Sequence, residues 1–227
     1  MNLIPNEIKK FLNNKKVVII GPCPELAFKN KSEFFDSFDI ICSVNETYIL
    51  DNNYGSHIDI LFNTTNKFCL QYLKTYKNNF ISKNIKYLLG TNKGNTKKNK
   101  ENWDSYCEIA KKTNNELNIY NIENFTNYID NIVKQPSHFH TGVFALTFLL
   151  LCNLKELYID GFTFYNNGKF GQVWNKKYNL NGFLESNTHV NGCTIQEEIE
   201  FINNLISKAN FPVNFDETYC PLNKNIR

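Results

Sequence analysis

The 227-residue sequence lacks the marks of several common protein classes. Its longest apolar run, Val143–Cys152, is about half the roughly 20 residues a membrane-spanning helix needs. Thr147 also interrupts that run. The amino terminus, MNLIPNEIKKFLNNKK, has no apolar segment of signal-peptide length. The formal net charge is only +3, and no basic run stands out. A nucleic-acid partner, which calls for a clustered cationic face, is therefore not expected. There is no G-x-G-x-x-G and no G-K-[ST], so dinucleotide-binding and Walker-type phosphate loops are not supported. The 7 cysteines are odd in number and never spaced C-x-x-C. Most lie in apolar runs, as Cys42 and Cys152 do, where a free thiol behaves as a small hydrophobe. A reducing, cytoplasmic setting is expected, without a disulfide framework. Contact with a membrane surface and self-association stay open.

What is present is a core-forming chain. Hydrophobic residues make up 42% and aromatics 15%, too much for a disordered polymer and enough for one domain spanning residues 1–227. Asparagine and lysine dominate the polar residues, which reads as base composition before chemistry.

Short apolar, β-branched runs end at turn or amide residues. Val17–Ile20 ends at Gly21, Asp39–Val44 at Asn45, Ile58–Phe62 at Asn63, Tyr87–Leu89 at Gly90 and Glu156–Ile159 at Asp160-Gly161. Such runs predict strands buried on both faces. Helical patterns lie between them at 66–80, 102–112, 123–133, 141–152 and 196–208. The alternation predicts an α/β fold: one Rossmann-like domain, a mostly parallel sheet with helices on both faces. In such sheets ligands bind beyond the carboxyl ends of the strands, where Gly21, Asn45, Asn63 and Gly161 fall. The polar stretch Thr91–Lys100 reads as a mobile lid loop.

Five segments can carry chemistry, and each has a plainer reading. Gly21-Pro22-Cys23 follows a strand, where glycine admits close approach to a phosphate or ribose; it is equally ordinary strand-to-turn punctuation. Asn45 and Asn63 offer neutral donors and acceptors, in a chain full of asparagine. Thr141-Gly142 opens an apolar helix and can present N–H groups to an anion, or Thr141 is simply its capping residue. His138 and His140 flank Phe139 without further ligands at zinc spacing, so no metal is expected. The strand end Asp160-Gly161-Phe162 leads to Tyr165, whose phenol can donate to a phosphate; the same aromatics could be core. His189 precedes an acidic helix holding Glu197, Glu198 and Glu200. Histidine is suited to taking a proton near neutral pH, and a lone loop histidine is also a common surface residue.

The order of the five resembles the CMP-sialic-acid-dependent sialyltransferases, the bacterial glycosyltransferase family 42 and more distantly the animal family 29. Gly21-Pro22-Cys23 with Asp39–Asn45 is similar to the large sialyl motif. Thr141-Gly142 with Tyr158–Tyr165 is similar to the small one, and His189 to the family's late histidine. The resemblance spans about Val17 to Leu205. It implies a variant of the GT-A-type fold and inverting, metal-independent transfer of sialic acid from CMP-sialic acid to an acceptor glycan, without a cofactor. Gly21, Pro22, Cys23, Asn45, Asn63, Thr141, Gly142, Gly161 and Phe162 would line the nucleotide pocket. Tyr165 would stabilise the departing phosphate and His189 would be the general base.

The chain departs from the family's pattern in four places. Pro22-Cys23 stands where the family carries Asn or a second Gly, and proline has no N–H to donate. Phe170-Gly171 occupies the stretch of the bacterial enzymes' second tyrosine. The arginine beside Asn45 is missing, and the C-terminal membrane-associating part of the bacterial members is expected to be absent. Asp-x-Asp occurs nowhere, which argues against metal-dependent diphospho-sugar transferases. Two alternatives stay open: a CMP-Kdo or UDP-sugar transferase, and an inactive relative that binds CMP or glycan.

Overall fold

The computed structural model describes residues 3–23, 30–45, 47, 55–64, 67–91, 97–133, 140–162, 164, 189–190, 193–216 and 222. Among these, the strands are β1 (Lys16–Ile20), β2 (Ile40–Val44), β3 (Ile60–Thr64), β4 (Tyr87–Thr91), β5 (Asn118–Asn121), β6 (Glu156–Asp160), β7 (His189–Val190), β8 (Cys193–Thr194) and β9 (Val213–Phe215). The helices are α1 (Asn6–Leu12), α2 (Ser32–Asp36), α3 (Lys67–Thr75), α4 (Lys77–Ser82), α5 (Lys97–Thr113), α6 (Glu123–Val133), α7 (Thr141–Leu150) and α8 (Ile195–Ile206).

Seven strands form one sheet in the order β5-β4-β3-β2-β1-β6-β9, and every pairing in it is parallel. β7 and β8 form a separate antiparallel pair. Parallel strands need both faces covered, and β2 is buried at all its positions. Over one face, Ile8 and Leu12 of α1, Phe125 of α6, Phe148 of α7 and Ile202 of α8 join the main core. The other face is split. Leu73, Phe80 and Tyr106 of α3, α4 and α5 pack on β3 and β4. Phe35 of α2 packs with Val18, Ile20 and Ile41 of β1 and β2.

α7 is apolar all round because it is the interior helix. Val143 to Leu150 are all buried. Phe148 meets Phe62 at 5.4 Å and Phe125 at 5.1 Å between ring centroids. Each such side chain contributes about 1.5–3 kcal/mol on burial. Thr147, the polar interruption, donates to the Val143 carbonyl at 2.8 Å and so satisfies its hydroxyl inside the helix. No helix among the described residues is long and apolar enough to cross a membrane.

The predicted α/β architecture and its strand runs are found. The predicted helix 66–80 is two helices, broken at Tyr76, whose backbone leaves the helical region at φ −112° and ψ 36°. The predicted lid loop is corrected in part: Lys97–Lys100 already belong to α5, and residues 92–96 lie outside the described set. The sheet gains the edge strands β5 and β9.

Candidate functional site

The chain winds outward from β1 in both directions, through β2 to β5 on one side and through β6 to β9 on the other. The reversal lies between β1 and β6, so the crevice beyond their carboxyl ends is the expected ligand position. Ile20 stands opposite Asp160, which sets Gly21 beside Gly161. Gly21 donates its N–H to the Asp160 carbonyl at 2.8 Å. A Cβ on Gly21 would lie 2.4 Å from the Gly161 carbonyl oxygen and 2.9 Å from the Phe162 ring. Gly161 itself has φ 72°, a left-handed conformation glycine adopts without strain. From the opposite side, a Cβ on Gly142 would lie 2.9 Å from the Phe162 ring. One aromatic ring thus joins two strand ends to the start of α7. The first-turn N–H groups of Gly142 and Val143 have no intrahelical acceptor, which suits an anion.

Thr141 is buried beside this junction, but it is not the capping residue. His140 takes the N-cap position, at φ −59° and ψ 149°. Its backbone N–H donates to Glu198 Oε1 of α8 at 3.0 Å. Its ring Nδ1 lies 2.8 Å from each Glu198 carboxylate oxygen.

Lys31, just before α2, reaches the carboxyl ends of β6 and β9. Its ammonium donates to Asp160 at 2.6 Å and to Asp216, which follows β9, at 2.5 Å. Asp160 is fully buried. Burial pushes its carboxyl above the usual range, and Lys31 pulls it back only in part. Burial alone would lower the Lys31 ammonium; the two carboxylates more than reverse this and raise it. Asp160 Oδ1 has no hydrogen-bond partner among the described residues, and the same holds for Asn63 Oδ1.

The remaining candidates are more scattered. Asn45 ends β2 in a left-handed conformation, φ 56°. Asn63 ends β3 fully enclosed, its amide donating to the Tyr106 hydroxyl at 3.1 Å. Pro22 is half-buried. Cys23 is buried and packs in the α2-side cluster with Val18, Ile20 and Phe35. His189 is placed by its backbone alone, in β7, where it pairs with Thr194. Tyr165 and His138 lie outside the described residues. Lys31, Glu198 and Phe164 were not among the predicted site residues. Phe164 is buried with φ 48°, a costly conformation for a bulky residue that clusters at functional sites. Its ring centroid is 6.3 Å from that of Phe162.

No family model matches the chain, and no curated protein sequence matches it. Solved structures do. The CstII sialyltransferase of Campylobacter jejuni, solved in complex with cytidine-5'-monophosphate, superposes at a TM-score of 0.58 with 18% identity, covering 92% of this chain and 81% of that one. The monofunctional alpha-2,3-sialyltransferase Cst-I of the same organism gives 0.59 with 16% identity, covering 98% and 83%. A mammalian sialyltransferase gives 0.54 with 13% identity, covering 96% and 73%. The chain has the fold of these proteins.

Proposed function

We propose that this chain transfers sialic acid from CMP-sialic acid to a hydroxyl of an acceptor glycan, with inversion and without a metal. The observation that carries the reading is the junction of Gly21, Gly161, Gly142 and Phe162 at the switch point between β1 and β6, in a fold shared with sialyltransferases. Three of the similar structures hold CMP, one of them together with a trisaccharide acceptor. A donor and an acceptor of those classes are proposed for this chain on that basis.

In the proposed step, the acceptor oxygen bonds to the anomeric carbon as the bond from that carbon to the phosphate oxygen breaks. The sugar passes through oxocarbenium character, as in glycoside hydrolysis. His189 takes the acceptor proton. The N–H groups at the start of α7 and the Tyr165 phenol stabilise the departing phosphate. CMP leaves with a single phosphate, so neutral donors have less charge to balance than a diphosphate would present.

A donor screen tests this. Thermal unfolding would be followed with CMP, CMP-sialic acid, UDP-sugars and NAD, each with and without EDTA. A ligand that binds only the native state raises the melting temperature by mass action. A rise with CMP compounds that survives EDTA, together with turnover lowered by about 10²–10⁴-fold but still measurable in His189→Ala, is the expected result. A response confined to UDP-sugars, or dependent on metal, would replace the reading with a different sugar transferase. CMP binding without turnover would identify a binding module.

A further inference from the structure

Glu198 is 1% exposed, and a buried carboxylate is costly unless it is paired and hydrogen-bonded. Here one residue of another element supplies both contacts: the His140 N–H at 3.0 Å and the His140 ring Nδ1 at 2.8 Å. The carboxylate also faces the positive end of the α7 dipole, which favours negative charge. The first turn of α8 is therefore fixed to the start of α7 by a charge-assisted contact of defined direction, in addition to apolar packing.

Each side of that contact leads to a different part of the proposed site. On the α7 side, His140 is followed at once by Thr141 and Gly142, and Gly142 abuts Phe162. On the α8 side, Glu198 lies in the first turn. The residue immediately before α8 is Thr194, which pairs with His189 across the β7–β8 ladder. Glu198 thus adds one directed contact between the start of α7 and the helix that follows the His189 strand pair.

We propose that Glu198 and His140 are positioning residues that hold the His189-bearing hairpin in register with the nucleotide end of α7. The proposal rests on the reading of His189 as the base. A general base works only within hydrogen-bond reach of its proton, and a misplacement of about 1 Å can cost about a hundredfold in rate. Apolar docking of α8 alone would predict a loss of stability without a specific loss of turnover.

The test uses the full chain with Glu198→Gln, Glu198→Asp, His140→Asn, His189→Ala and the double variant Glu198→Gln/His189→Ala. Glu198→Gln keeps an acceptor for the His140 N–H but loses the charge. The expected result is a kcat for transfer from CMP-sialic acid lower by roughly tenfold or more. The donor KM and the CMP-induced melting shift should change less than kcat does, because the start of α7 loosens but stays in place, with partial recovery of kcat in Glu198→Asp. In the His189→Ala background, Glu198→Gln should cost no further rate, because residues acting as a unit are non-additive. Additive losses would overturn the proposal. Hydrogen exchange gives a readout that needs no turnover: residues 189–190, 193–194 and 141–143 should exchange faster together in Glu198→Gln and in His140→Asn. Unchanged exchange there would overturn the linkage. A wild-type chain that ignores CMP would instead sink the functional reading, while exchange would still decide whether the pair holds the hairpin.

Discussion

The two ends of the sheet treat buried polar groups in opposite ways. At the amino end, Asp59 is buried and fully partnered. It accepts from the Ile41 N–H at 2.9 Å and from Lys86 at 2.7 Å, with His57 Nε2 at 3.3 Å. Glu7, although exposed, accepts from the hydroxyls of both Tyr87 and Tyr120, and its bond holds the Tyr120 phenol up at about 12. At the carboxyl end, Asp160 Oδ1 and Asn63 Oδ1 are buried without a partner among the described residues. Asn45, Gly161 and Phe164 adopt positive φ there. Buried polar groups are nearly always satisfied in native proteins, and exceptions call for an explanation. Positive φ occurs at the amino end too, at Asn14, Gly55 and Asn84, so it is the unmet hydrogen bonds that mark the carboxyl end as the working end. The amino end holds the fold together.

The contrast is tested most severely at Lys31. Lys31→Met leaves Asp160 and Asp216 together without their cation. Removing one partner of a buried ion pair costs about 3–5 kcal/mol, and the loss should depend on pH. The Asp160 carboxyl is already raised in the folded chain, so the native state holds its proton more readily than the unfolded state does. Asp160 therefore opposes folding at neutral pH, and that opposition fades as pH falls through its folded value. Without Lys31 its carboxyl rises further, so the variant's deficit should shrink between about pH 7.5 and about pH 5 in urea unfolding. An equal deficit at both would remove the carboxylates as its cause.

Gly21→Ala and Asp59→Asn then compare the ends directly. The new Cβ at Gly21 would meet a backbone carbonyl at 2.4 Å, which no side-chain rotation relieves. A loss of about 1–3 kcal/mol is expected from overpacking, along with the CMP response. Asp59→Asn keeps an acceptor for the Ile41 N–H but loses the charge facing Lys86 and His57. About 1–2 kcal/mol should go, with the CMP response intact. If Asp59→Asn abolished nucleotide binding, the division between the two ends would fail.

How much of this was legible depends on distance along the chain. β1, β2, β3, β4 and β6 were visible because strands buried on both faces read as continuous apolar runs. β5 is two half-buried residues between two exposed ones, and β9 has three residues, so neither leaves a run. Gly21, Gly142 and Gly161 were legible as turn and helix-start signals, since crowding at the first two and a left-handed backbone at the third favour glycine. Lys31 and Asp160 are 129 positions apart, and His140 and Glu198 are 58 apart. No local pattern announces such pairs. The one trace of Glu198 was its place among first-turn acids of a helix, a signal shared by many surface helices. The structure also moved the N-cap position from Thr141 to His140, because the extended backbone that precedes the helix falls on the histidine, at φ −59° and ψ 149°.

Asn63 gives the smallest effect and the sharpest discrimination. Its amide nitrogen is used by the Tyr106 hydroxyl at 3.1 Å, while its oxygen finds no partner among the described residues. Replacing one partner of a buried hydrogen bond strands the other, so Asn63→Leu alone would mix two effects. The double variant Asn63→Leu/Tyr106→Phe removes both polar partners at similar volume, which can be nearly neutral. Its stability should stay within about 0.5 kcal/mol of wild type. If the orphan oxygen meets the donor, CMP affinity should fall about tenfold, the worth of one hydrogen bond at about 1.4 kcal/mol. Calorimetry separates the cases. Unchanged affinity with a gain in stability would mean that Asn63 is an uncompensated buried amide. It would then leave the site, and Asp160 would be the only orphan acceptor described at the carboxyl end.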